Sequence, residues 1–147
     1  MNRRMVVYLT GKIIKVESAL LLFPLLISLI YRDGCAIEFL ISAAFAALVG
    51  WLMTYKKPED TNFYAREGFA VVSLAWIGLS AIGALPFYIS GWIPSYIDSL
   101  FEIVSGFTTT GSSILPAVEV LPHGLLFWRS FTHWVGGMGV LVFAMAI

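Results

Sequence analysis

Residues 68–97 contain no aspartate, glutamate, lysine or arginine, a run of 30 uncharged positions. Few soluble domains could bury such a run, whereas a bilayer accepts it: about 20 apolar residues in a helix cross a hydrocarbon layer ~30 Å thick. The run is one of four. Further apolar segments occupy residues 13–31, 39–55 and 124–147, and the third helix runs from 68 to about 88. Charged residues make up 12% of the 147, where a soluble domain carries about 25%. The chain reads as an all-α integral membrane protein.

The first segment invites comparison with a secretory signal, because Arg3, Arg4, Lys12 and Lys15 precede "ALLLFPLLISLIY". The next residues, "RDGCAIEF", contain no small-x-small cleavage site, and Arg32 and Asp33 spoil a lipoprotein-type site at Cys35. A retained helix is expected. Asp33-Gly34 supplies a tight turn into the second segment, so the first two helices form a hairpin. The single cysteine cannot form an internal disulfide.

The formal net charge of zero hides an asymmetry. With the N-terminus inside, the inner loops hold Arg3, Arg4, Lys12, Lys15, Lys56, Lys57 and Arg66, and the outer side holds only Arg32 and Arg129. Basic residues concentrate in short cytoplasmic loops, so a cytoplasmic N-terminus is expected. Residues 90–122 then lie on the outer side.

That outer region is not an ordinary loop. "SYIDSLFEIVSGF" (95–107) places apolar residues at 97, 100, 101, 103, 104 and 107, one face of a helix. Pro94 marks its entry, and Ser95 with Asp98 has the spacing of a capping box. Its length, about 19 Å at ~1.5 Å per residue, reaches only mid-membrane. "TTTGSS" comes next, rich in hydroxyls and poor as helix. Irregular backbone at membrane depth survives only where protein covers it or where it lines a watery cavity. A re-entrant segment is expected: short helix inward, extended chain back.

Such a return leg has two readings. Its carbonyl oxygens can replace the hydration shell of a cation, with Gly111 supplying positive φ without steric penalty and threonine hydroxyls adding oxygen ligands. The partly negative C-terminus of the short helix would favour a cation in the same place. Alternatively, small hydroxyl residues simply allow close helix packing. Glu102 and Arg129 bear on both. A carboxylate at Glu102 is costly unless paired or wet; it anchors neighbouring backbone or adds negative potential behind the return leg. Arg129, in the first two turns of the last helix, snorkels outward or pairs with an acid such as Glu102. "GGMG" (136–139) suits close packing beside that segment. There is no nucleotide loop, no pair of catalytic carboxylates and no metal-ligand cluster in the sequence, so nothing argues for an enzyme.

Four pieces in order, "REGF" (66–69), "GALPF" (83–87), "FEIVSGFTTTGSS" (101–113) and "FWRSFTHWVGGMG" (127–139), resemble the first repeat of the Trk/Ktr/HKT superfamily of potassium and sodium uptake proteins. The preceding hairpin resembles the extra N-terminal helix pair of bacterial Trk-type pore subunits. His133 departs from the glutamine of many relatives. The resemblance implies residues 1–67 as the hairpin and cytoplasmic linker, and 68–147 as one helix–pore-loop–helix repeat of a potassium-channel-like pore. It implies a selectivity-filter strand at Thr108, Thr109, Thr110, Gly111 and Ser112, with potassium bound at the level of Thr109 and Thr110. Glu102 and Arg129 would support the pore. In related plant transporters a serine at the position of Gly111 accompanies sodium preference.

The family closes its pore with four such repeats, and this chain has one. The apolar, uncapped end at Ala146 and Ile147 leads to the expectation that further repeats follow, with four assembled copies as the alternative. The remaining implications are a multi-pass protein of the bacterial inner membrane, a homodimer of pore subunits, and a cytoplasmic nucleotide-binding regulatory subunit of the TrkA or KtrA kind. Potassium is the transported ligand, and neither a cofactor nor a nucleic acid is implied. The competing functions are a non-conducting membrane scaffold or assembly module, and a sodium-permeable relative.

Overall fold

The computed structural model describes residues 2–59 and 64–146. Seven α-helices occur in chain order among them: α1 Arg3–Leu20, α2 Leu22–Tyr31, α3 Ala36–Thr54, α4 Ala65–Gly83, α5 Leu85–Ile89, α6 Tyr96–Phe107 and α7 His123–Ala146. A short 3-10 turn, Val118–Val120, precedes α7.

Helices α1 and α2 form one span, Arg3–Tyr31, of 29 residues. The expected start at residue 13 was ten residues late. The Asn2 side chain accepts the Met5 N–H at 3.1 Å and caps a helix that carries its basic residues from the first turn. The break at Leu21 has a local cause: the ring of Pro24 clashes with the carbonyl four residues earlier, at Leu20. Leu21 itself stays in the right-handed region, with φ −65° and ψ −16°, so the span bends without ending.

Helix α3 returns antiparallel against α1. Gly11 and Gly50 allow the contact: a Cβ at Gly11 would meet Met53 Cβ at 2.6 Å, and one at Gly50 would meet Lys15 Cγ at 2.7 Å. Small residues at such crossings let backbones approach without lipid between them. The Ser18 hydroxyl adds a bond to the Ala43 carbonyl at 3.0 Å.

The turn between α2 and α3 is built as the Asp33-Gly34 pair predicts, with Gly34 at φ +82° and Arg32 also left-handed at φ +52°. Asp33 does more than turn the chain. Its carboxylate accepts from the Ser28 hydroxyl, from Cys35 N–H at 3.1 Å and from Gly124 N–H at 2.8 Å. The last bond ties the hairpin to the start of α7. Burial pushes this carboxyl up, but the three hydrogen bonds and the nearby charge of His123 outweigh it and hold it below the ordinary aspartate range.

Helices α4 and α5 make up a second bent span, Ala65–Ile89. The helix is interrupted at Ala84, two residues before Pro86, and the uncharged run left open whether that proline ends the helix or only breaks its bonding. Trp128 of α7, 1% exposed, donates its indole N–H to the Gly83 carbonyl at 2.9 Å. Three helical segments in all, Arg3–Tyr31, Ala36–Thr54 and Ala65–Ile89, are long and apolar enough to cross a membrane among the described residues. Helix α6, with 12 residues, is too short to cross. The chain is a multi-pass membrane protein, all-helical among the described residues, in which a long helical span, a short helix and a further long helix follow a helix hairpin.

Candidate functional site: the re-entrant segment

Helix α6 begins where Pro94 and Ser95 place it. The Ser95 hydroxyl accepts the Asp98 N–H at 3.3 Å, and Tyr96 donates its hydroxyl to the Ala81 carbonyl of α4 at 2.7 Å. The helix is buried along Ser99, Glu102, Ile103, Ser105, Gly106 and Phe107. Its inner end is pressed against α7: a Cβ on Gly106 would strike Thr132 Oγ1, and one on Gly136 would strike the Phe107 backbone. "GGMG" therefore places α7 at the point where α6 stops.

The stop is a Schellman motif. Thr109 N–H bonds the Gly106 carbonyl at 2.9 Å and Thr110 N–H bonds the Ser105 carbonyl at 3.0 Å, the paired 5→2 and 6→1 bonds of that cap. The motif needs a left-handed residue after the cap, normally glycine. Here it is Thr109, at φ +58°. A β-branched side chain in that region is strained by about 1–2 kcal/mol. Two residues later Gly111 is left-handed as well, at φ +78°.

Side chains hold the residues beyond the cap. The Ser105 hydroxyl donates to the Ser112 carbonyl at 2.6 Å. Glu102, 1% exposed, accepts from the Ser113 hydroxyl at 3.0 and 3.1 Å and from Ile114 N–H at 3.1 Å. Arg129 Nε donates to the same carboxylate and forms an ion pair with it. Thr108 bonds back to the Val104 carbonyl at 2.7 Å, and its hydroxyl lies 2.8 Å from that of Thr110. His133 Nδ1 lies 2.9 Å from the Arg129 carbonyl.

Residues 108–114 are exposed in this chain. Among the described residues, no hydrogen bond ends on the carbonyl oxygens of Thr108, Thr109, Thr110 or Gly111. Nothing lies within 4 Å of a Cβ placed on Gly111. The expected residues Thr108 to Ser112 thus form one continuous exposed leg, with Glu102 and Arg129 behind it. Sequence reasoning missed Ser105 and Ser113, which bind that leg to α6, and the left-handed Thr109. The signal for the serines was present: small hydroxyls flank the run on both sides, at spacings that only a reversal of the chain brings together.

Known proteins share both the sequence and this architecture. Residues 34–147 match the family model described as TrkH, cation transport protein. The chain is 38% identical over 149 residues to the Trk system potassium uptake protein TrkH of Escherichia coli K12, covering 100% of this chain and 31% of that protein. It is 35% identical over 142 residues to an uncharacterized cation transporter of Methanocaldococcus jannaschii, covering 97% of this chain and 30% of the relative. The crystal structure of the potassium transporter TrkH from Vibrio parahaemolyticus superposes with a TM-score of 0.92 at 34% identity, over 99% of this chain and 32% of that one. The chain spans less than a third of the length of these curated relatives. The chain belongs to the TrkH family of cation transport proteins.

Proposed function

We propose that this chain carries the first selectivity-filter strand of a potassium uptake protein in the plasma membrane, the inner membrane of a bacterium. Four consecutive carbonyl groups without a donor, at Thr108, Thr109, Thr110 and Gly111, carry this reading. Carbonyls left unsatisfied at membrane depth are costly, and a dehydrated cation supplies what they lack. Potassium then sits at the level of Thr109 and Thr110, with Ser112 completing the strand. The strained Thr109 fits this use, since backbone outliers persist where the surroundings fix them for a purpose. The remaining three strands come from repeats outside this chain. Substituted cysteines test the pathway. Single cysteines at 108 to 113 of the full-length transporter should react with a small cationic thiol reagent and lose potassium uptake. Silence at all six positions would favour a packed, non-conducting interface.

The N-terminus and the linker around Lys56 and Lys57 are cytoplasmic in this reading, because basic residues cluster there. A reporter fused after Lys57 that is active only on the outer face would reverse the topology. The pore subunits pair as a homodimer and bind a TrkA-like nucleotide-binding subunit on the cytoplasmic side; co-purification of that subunit with the intact transporter checks the pairing.

A further inference from the structure

The start of α1 and the end of α3 enclose a cavity that the ion pathway does not use. Its volume is about 360 Å³, and Arg3, Arg4, Val7, Leu52, Tyr55 and Lys56 line it. The floor is apolar and open, with Val7 43% and Leu52 59% exposed. The rim carries three cations. Among the described residues, the side chains of Arg3, Arg4 and Lys56 make neither a hydrogen bond nor an ion pair.

The depth of the cavity is set by helix length and by its aromatic neighbours. The span Arg3–Tyr31 has 29 residues, which at ~1.5 Å each exceeds the ~30 Å hydrocarbon layer. One end must therefore leave that layer. The Trp51 and Tyr55 rings meet edge to face at 5.3 Å at the end of α3, and Lys12 Nζ lies 4.9 Å from the Tyr8 ring centroid. Such amphipathic rings settle at headgroup level. The cavity thus combines an apolar floor with a basic rim at the depth of lipid phosphates.

We propose that this cavity seats one anionic phospholipid, its phosphate among Arg3, Arg4 and Lys56 and the first methylenes of its chains on Val7 and Leu52. Basic pockets between membrane helices recognise such headgroups. A free phosphate would satisfy the cations and leave the apolar floor unused, so the lipid is the occupant the whole surface fits. This inference depends on the placement of the hairpin in the membrane and not on the ion pathway, so each can fail without the other.

The test is native mass spectrometry on the purified full-length transporter, titrated with phosphatidylglycerol or phosphatidylcholine. Phosphatidylglycerol should be retained preferentially, at one tightly held molecule per protomer. The triple variant Arg3→Ala, Arg4→Ala, Lys56→Ala should weaken its binding on the order of 100-fold, from about 1 kcal/mol per basic residue. The variant Lys57→Ala, with its cation outside the cavity, should bind as the parent does. The charge-preserving pair Arg3→Lys, Arg4→Lys should keep most of the retention, which separates loss of charge from loss of fold. Equal retention of the two lipids, displacement by excess inorganic phosphate, or undiminished binding in the triple variant would each overturn the proposal. A triple variant that keeps its lipid but loses a co-purifying cytoplasmic subunit would overturn it in favour of a protein contact.

Discussion

Arg129→Leu is expected to unseat the return leg of the re-entrant segment. Arg129 is paired with the Glu102 carboxylate, whose side chain is fully enclosed. Glu102 in turn receives Ser113 and the Ile114 N–H, so one carboxylate fastens the exposed leg to two helices. Removing one partner of a buried ion pair costs about 3–5 kcal/mol, because the other charge remains without compensation. The leg answers first, since few other bonds restrain residues 113 and 114. Thermal unfolding of the purified full-length transporter should therefore begin at a clearly lower temperature, and potassium uptake should be lost. The double variant Glu102→Gln, Arg129→Leu should recover part of the stability. Its amide is neutral and still offers a carbonyl oxygen to the Ile114 N–H. An Arg129→Leu protein that unfolds with its parent, or a double variant worse than the single, would show that the pair does not hold the leg.

The sequence made some of this arrangement legible for identifiable reasons. Membrane spans were readable because a bilayer demands long uncharged runs, and the entry to α6 because Pro94 and Ser95 act locally. Gly111 stood out because glycine alone takes positive φ freely, and it does sit at φ +78°. Thr109 did not stand out, for the converse reason. Local preference argues against a β-branched residue there, and the left-handed turn is imposed by the two Schellman bonds and the clamp from Ser105 to Ser112. The early start of α1 was hidden because arginine and lysine signal a loop as readily as a helix, whereas here the helix includes them from its first turn. The interruption at Ala84 was hidden too, because Pro86 in an apolar run does not say whether a helix ends or only kinks. Pairing was legible only as one of two alternatives for Arg129, outward snorkelling or an ion pair with an acid such as Glu102. The two residues lie 27 positions apart, and the packing of α6 on α7 decides for the pair.

Gly111→Ser reaches the centre of the functional reading. A serine at φ +78° is strained by about 1–3 kcal/mol. In this chain it meets no neighbour, since nothing lies within 4 Å of the added Cβ. The protein should still fold and insert, because the strain is modest and no packing contact is broken. The Thr110 and Gly111 carbonyls, however, should be reoriented as the backbone relaxes, or the new side chain should project beside the exposed leg. The decisive measurement is the ratio of potassium to sodium uptake by cells expressing the full-length transporter with and without Gly111→Ser, at matched membrane abundance. A markedly lower ratio is expected in the variant, with abundance nearly unchanged. An unaltered ratio at equal abundance would contradict it, and would leave the exposed leg from Thr108 to Ser112 as a packing surface rather than a wall of the ion path.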